Sequence, residues 1–358
     1  MKRTKPMKII LIIFFSLVLL IVVGLWALSV YIYNENFNQR FESYEPQMLR
    51  VEDFDGLERT KYEFPSDKGQ MLTGYLYSHG NAAPQGIIIL AHGFGGGGHN
   101  SYMDVADYFA RNGFLVFAYD ATGNDESEGK GVGGLPQGVI DLDHAITFVE
   151  TSGNFPQLPI MLFGHSWGAY SSGSVLSYHP EVKAIIACSG FNSSPEMFEA
   201  EGRREAGDGI ALLMPFVKLH EAIKYGKYAS SSVLNGLAAS DARVMVVHGA
   251  EDDFVPASIG YDRCYEKYKD DPRFSFVMLE HQGHNYVYDD MTYINEFNAA
   301  FDKWLTTLDY DYKAKENKER FAADKADYIH QNLDREQWSH MLNAELFESF
   351  VAFFRDSI

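Results

Sequence analysis

A chain of 358 residues, 46% of them hydrophobic and 15% aromatic, is long enough for one sizeable core with room for an insertion. The formal charge is −19, and the charged residues among the first eight are all basic, so the rest carries 26 lysines and arginines against 49 acids. A body that acidic, without a basic recognition helix, excludes a nucleic-acid binder and a peripheral hold on an anionic membrane surface.

The first element in chain order is apolar. Residues 9–33 hold no charge, and a helix of that length, at about 1.5 Å per residue, spans a hydrocarbon core of about 30 Å with some tilt. Lys2, Arg3, Lys5 and Lys8 precede it, which predicts a cytoplasmic N-terminus (1–8), a signal-anchor helix (9–33) and everything beyond it outside a bacterial cell membrane. A cleaved signal peptide is the competing reading, since Ala27-Leu28-Ser29 is a small-x-small site, but the apolar run exceeds the usual span of such segments. The polar stretch 34–59 reads as a juxtamembrane linker.

Strand patterns then follow at 60–64, 71–77, 86–91, 114–119, 160–163, 184–188, 244–248 and 274–279, several as continuous apolar runs. Helical patterns alternate with them at 102–111, 138–150, 169–178, 257–269 and 293–305. This alternation predicts a doubly wound, mostly parallel eight-stranded α/β sheet occupying 60–308. The helical stretch 191–240 interrupts the pattern and is expected as a cap over the strand C-terminal ends, with core packing as the other reading. The tail 309–358 is expected to be a helical extension. Its apolar stripe (Trp338, Met341, Leu342, Phe347, Phe350, Val351, Phe354) would dock on the domain, or else meet a partner or the membrane. Cys188 and Cys264 make no disulfide framework, and no Cys/His spacing fits zinc, so neither a metal nor an organic cofactor is expected.

Four short motifs carry chemistry. After the apolar strand 87–91 comes His92-Gly93-Phe94-Gly95-Gly96, whose backbone N–H groups suit an oxyanion, with the donor placed at Phe94. A phosphate cradle is the rival reading of these glycines, but no Gly-Lys-Ser/Thr follows. Gly164-His165-Ser166-Trp167-Gly168 joins a buried strand to a helix and has the two glycines that a sharp turn around Ser166 needs. Trp167, just after the serine, would supply the second oxyanion donor. After the strand at 244–248, Asp252 is the carboxylate selected by the His248-Gly249 spacing and by Val255-Pro256, with Asp253 and Glu251 as fallbacks. After the last strand, His284 is preferred as general base over His281.

These motifs resemble the α/β-hydrolase superfamily, and within it the monoglyceride-lipase and serine-aminopeptidase-like esterase branch. The resemblance covers about 60–308 and implies Ser166, Asp252 and His284 as the catalytic triad, with Phe94 and Trp167 as oxyanion donors. One departure is Asp120-Ala121-Thr122-Gly123-Asn124-Asp125-Glu126-Ser127, which lacks the arginine and second glycine common in that branch. Asp120 and Ser127 would then shape a loop. The expected activity is cleavage of a small acyl ester or a lipid through an acyl-enzyme. A peptidase on the same triad is the alternative, with Glu199, Glu201 or Glu205 holding a substrate amine. A non-catalytic tethered binding protein is the third reading.

Overall fold

The computed structural model describes residues 4–80 and 83–358. Lys2 and Arg3, half of the expected cytoplasmic basic flank, lie outside them. The central sheet has eight strands: β1 (Leu57–Pro65), β2 (Met71–His79), β3 (Ile87–Ala91), β4 (Leu115–Tyr119), β5 (Ile160–His165), β6 (Ala184–Cys188), β7 (Arg243–Gly249) and β8 (Phe274–Leu279). Their spatial order is β1-β2-β4-β3-β5-β6-β7-β8. β1 and β2 pair antiparallel along their whole length, from Leu57↔His79 to Pro65↔Met71, and β2 pairs antiparallel with β4. From β4 through β8 the pairing is parallel. Every residue of β3, β5 and β6 is buried, as a strand covered on both faces requires. β1 begins earlier than its apolar pattern suggests because hairpin pairing with β2 carries the exposed Glu58 and Arg59, while Leu57 ahead of them is buried in the core.

The helices are α1 (Thr4–Phe37), α2 (Met103–Arg111), α3 (Pro136–Thr151), α4 (Trp167–Val175), α5 (Ser194–Ala206), α6 (Met214–Tyr225), α7 (Val233–Ala239), α8 (Tyr261–Tyr268), α9 (Met291–Leu305), α10 (Lys318–Asn332), α11 (Arg335–Ser339) and α12 (Ala344–Arg355). α3 and α4 cover one face of the sheet. α2 covers the other, and there the tail completes the layer. Phe347, Phe350 and Phe354 of α12 are fully buried and pack on Phe109, Phe114 and Phe163.

Two expectations about the chain's organisation need revision. α1 is long and apolar enough to cross a membrane, with a mean hydropathy of 3.2 over its most apolar window. It does not give way to a free linker at residue 34. Ser29, Tyr33 and Phe37 recur at helical spacing and are buried against α5 and α6, with Tyr33 stacked on Phe198 at 5.9 Å. The exposed apolar part therefore ends near Leu28, and the last turns of the same helix belong to the globular domain. Residues 38–56 are also tied down: Phe41 exchanges backbone hydrogen bonds with Gly123 and Asp125. The insertion 191–240 forms α5–α7 as expected, but its apolar residues Met197, Phe198, Leu213 and Met214 are used in burying α1 and the core.

Candidate active site

The turn after β5 forms the centre of the site. Ser166 adopts φ +55°, a region that costs a non-glycine residue about 1–3 kcal/mol. Surrounding contacts hold it there: its N–H donates to the Cys188 carbonyl at 2.8 Å. A Cβ on Gly164 would lie 2.4 Å from the Gly168 backbone, and one on Gly168 would lie 1.9 Å from the Ala91 carbonyl oxygen. Only glycine permits β3, β5 and α4 to meet this closely.

The turn holds the Ser166 hydroxyl at the N-terminus of α4, where it meets two groups from distant loops. His284 Nε2 is 2.9 Å from Ser166 Oγ, and His284 Nδ1 is 2.8 Å from Asp252 Oδ2. Asp252 Oδ1 accepts from the N–H groups of Phe254 and Val255 at 3.0 and 2.8 Å. Burial by itself would raise the Asp252 pKa, but the His284 hydrogen bond and the backbone donor outweigh it and hold the carboxyl below its ordinary value. An ionised Asp252 fixes the proton on His284 Nδ1 and leaves Nε2 free to accept from the serine. The fallback residues do not compete. Asp253 and Glu251 are exposed, and the exposed side chain of His281 faces Glu251 at 3.5 Å.

A second chain of hydrogen bonds, not anticipated from sequence, steadies the histidine from behind. The Gly93 N–H donates to the Tyr102 hydroxyl at 2.8 Å, so that hydroxyl donates onward to His165 Nδ1 at 2.9 Å. His165 Nε2–H then donates to the His284 carbonyl at 2.9 Å. Burial, then the charge of His284, pushes the His165 pKa down to about 3, so this imidazole stays neutral and keeps one tautomer. The loop at Gly93 and the backbone of His284 are thus joined through the residue preceding Ser166. The only signal in sequence was a histidine at the variable position of the elbow, which says nothing about its partners.

The rings of Phe94 and Trp167 lie edge to face, with centroids 5.6 Å apart. The Trp167 indole N–H is committed to the Leu135 carbonyl at 2.7 Å. Among the described residues, neither backbone N–H has a hydrogen-bond partner within the chain, so both are available to an incoming oxygen. Asp120 and Ser127 do shape the following loop: Ser127 Oγ donates to the Asp120 carbonyl, while Asp120 Oδ1 accepts from His99.

Ser166 and His284 open into a cavity of about 470 Å³. Its walls overturn the expectation of a lid built from 191–240, because among the described residues that segment contributes none of the lining. The walls come from the two ends of the chain: Ser43–Leu49 on one side, and Trp338 and Met341 of the tail on another. Trp338 Nε1 donates to the Gln47 carbonyl at 2.9 Å and thereby ties the two ends together. Glu199, Glu201 and Glu205, weighed as holders of a substrate amine, do not line the cavity either, and pair instead with Arg203 and Arg204. Away from the site, ligand atoms of Glu150, His179 and Glu181 lie within 4.8 Å of one another. Both His179 nitrogens are already engaged, to Asp143 and Glu181, so this is an ion-paired histidine and not an open metal set.

Comparison with known proteins bears on the fold. A family model described as serine aminopeptidase, S33, matches residues 82–224, a span that includes Phe94, Ser166 and Trp167 and ends before Asp252. No match to a curated protein was found. Among solved structures, an esterase from Pyrococcus furiosus aligns at a TM-score of 0.52 and 17% identity, covering 75% of this chain and 98% of that one. A second crystal form of the same esterase gives a TM-score of 0.53 and 18% identity over 75% and 96%. An alpha/beta hydrolase from Penicillium sp. aligns at 0.49 and 19% identity over 70% and 97%. Sheet order and the likeness to the Pyrococcus esterase show that the chain has the α/β-hydrolase fold, and its residues 82–224 are similar to the serine aminopeptidase, S33 family.

Proposed function

We propose that the protein is a membrane-anchored serine hydrolase that cleaves carboxylic acyl esters through an acyl-enzyme. The observation that carries this reading is the unbroken relay from Ser166 Oγ through His284 to Asp252, at 2.9 and 2.8 Å, beside two free N–H donors. Ser166 Oγ attacks the carbonyl carbon while His284 Nε2 takes its proton, and Asp252 stabilises the imidazolium. The oxyanion forms between the N–H groups of Phe94 and Trp167, each worth about 2.7–4 kcal/mol in comparable sites. Collapse expels the alcohol, which takes the proton from His284. A water activated by the same imidazole then releases the acid and restores Ser166. No step calls for a metal or an organic cofactor.

The family match supports a second reading, a peptidase using the same groups. Paired ester and arylamide substrates separate the two. Ser166→Ala is expected to abolish fluorophosphonate labelling and to lower ester turnover by about 10⁴-fold or more. Turnover unchanged in that variant would defeat the serine mechanism.

α1 supports an uncleaved anchor, N-terminus cytoplasmic and hydrolase domain outside a bacterial cell. The small-x-small site at Ala27-Leu28-Ser29 runs into the docked part of the helix, and Ser29 itself is fully buried. Cleavage there would sever a packed element.

A further inference from the structure

Beyond the reacting groups, the cavity holds a second chemical feature. Asp104, in the first turn of α2, and Asp289, on the loop that carries His284, are both buried, and both line the cavity into which Ser166 opens. Asp289 is held firmly by its backbone: its N–H donates to the Tyr286 carbonyl and its carbonyl accepts from Gln282 Nε2 at 2.9 Å. Its carboxyl has no hydrogen-bond partner among the described residues, and Oδ1 is an orphaned buried acceptor. Asp104 accepts only from the adjacent Val105 N–H, at 2.8 Å. Among the described residues, no lysine or arginine lines this cavity.

Two buried carboxyls lining one cavity with no lysine or arginine among its described lining are costly when ionised. Burial pushes the Asp104 pKa up to about 7, and burial together with the charge of Asp104 raises Asp289 well above the usual carboxylate range. Four aromatic residues, Tyr44, Tyr286, Tyr288 and Trp338, line the same cavity. An anion would find no lysine or arginine among the described lining residues to hold it, and an apolar tail would leave both carboxyls unpaired. A divalent metal ion would need more oxygen ligands than this wall offers. An ammonium group lowers the pKa of a carboxyl it approaches, so that on binding it meets carboxylate as well as aromatic rings, and both attract it.

We propose that Asp104 and Asp289 form a subsite for a positively charged ammonium group on the substrate, set apart from the scissile carbonyl in the same cavity. The inference rests on the reading of Ser166 as nucleophile and narrows the substrate class. Two sources share this chemistry: a primary amine on the acyl side, as in an aminoacyl ester or a peptide, and a quaternary amine on the alcohol side, as in a choline ester.

The test uses the full-length, detergent-solubilised protein and matched substrate pairs. One pair is an ω-aminoalkanoyl p-nitrophenyl ester and its alkanoyl isostere, and the other is a choline ester and its neutral neohexyl isostere. The wild type is expected to favour the charged member of one pair by about tenfold or more in kcat/KM, and the pair that shows it identifies the source. In Asp289→Asn, and more so in Asp104→Asn/Asp289→Asn, that ratio falls toward one. Because it is taken within one preparation, partial unfolding does not imitate the effect. Tetramethylammonium should also inhibit neutral-ester turnover by the wild type where neohexanol does not. No preference in either pair, or a preference that survives in the double variant, overturns the subsite. Neutral esters cleaved through Ser166 without any ammonium preference would refute the subsite alone, whereas turnover surviving in Ser166→Ala refutes the nucleophile itself.

Discussion

At the residue scale, the site depends on carboxyl groups held in opposite states. Asp252 is kept ionised by its donors, and His284 has one correct tautomer only while that holds. Asp252→Asn preserves the shape but reverses the hydrogen-bond demand on Nδ1. Its kcat for a p-nitrophenyl ester should fall by about 10⁴-fold with KM little changed, as steady-state kinetics would show. Glu221 is the contrary case. Fully buried on α6, it accepts from the Tyr33 hydroxyl at 2.8 Å and from Ser194, yet its second oxygen has no partner. Burial raises its pKa from 4.5 to about 7, and Asp104 is shifted in the same direction. A carboxyl whose folded pKa is raised contributes stability that is complete below its unfolded pKa and is lost as pH rises through the folded one. Between about pH 4.5 and pH 7 these two groups should therefore make the protein less stable as pH rises. Thermal melts of Glu221→Gln across that window should show a shallower decline than the wild type; an identical slope would exclude the assignment.

At the scale of elements, chain ends do the work that the insertion was expected to do. The apolar stripe of α12 was readable as a helical period, and its burial follows from the need to cover α2 and the β5 face of the sheet. Phe347 has no exposure and touches Tyr108, Phe109, Phe163 and Tyr288. Phe347→Ala should cost about 3–5 kcal/mol, visible as a lower urea midpoint with an unchanged slope. The helices α5–α7 have a different use: they form the seat on which the end of α1 rests. Sequence patterning showed that 191–240 was helical and apolar, but an apolar face does not say which neighbour it buries against.

For the whole molecule, the consequence is that the apolar helix α1 and the α/β domain form one continuous body, which under the proposed function joins anchor to enzyme. The exposed part of α1, Met7–Leu28, is about 33 Å long at about 1.5 Å per residue, close to a hydrocarbon core of about 30 Å. Its final turns are already domain, so the cavity would be held at a set height above a bilayer. A fragment beginning at Gly24 keeps Ser29, Tyr33 and Phe37 in place, whereas one beginning at Asn38 leaves the buried Glu221 and Phe198 uncovered. The shorter fragment is expected to melt about 5 °C or more below the longer one, or to aggregate, when both are followed by circular dichroism. Equal melting temperatures would mean that α1 contributes no stability to the domain.

What could be read from the sequence alone was whatever depends on neighbours in the chain. The parallel sheet follows from continuous apolar runs. The elbow follows from glycines two positions either side of Ser166, and Asp252 and His284 from their places just beyond strand ends. Tertiary structure alone decided how remote segments come together: the docking of Tyr33 on α6, the Tyr102–His165 brace behind His284, the cavity walls at Gln47 and Trp338, and the placing of Asp104 and Asp289 in the lining of one cavity. The physical reason is range. Backbone conformation and hydrophobic period are set within a turn or a strand, while the partner of a buried side chain is chosen by how whole layers pack.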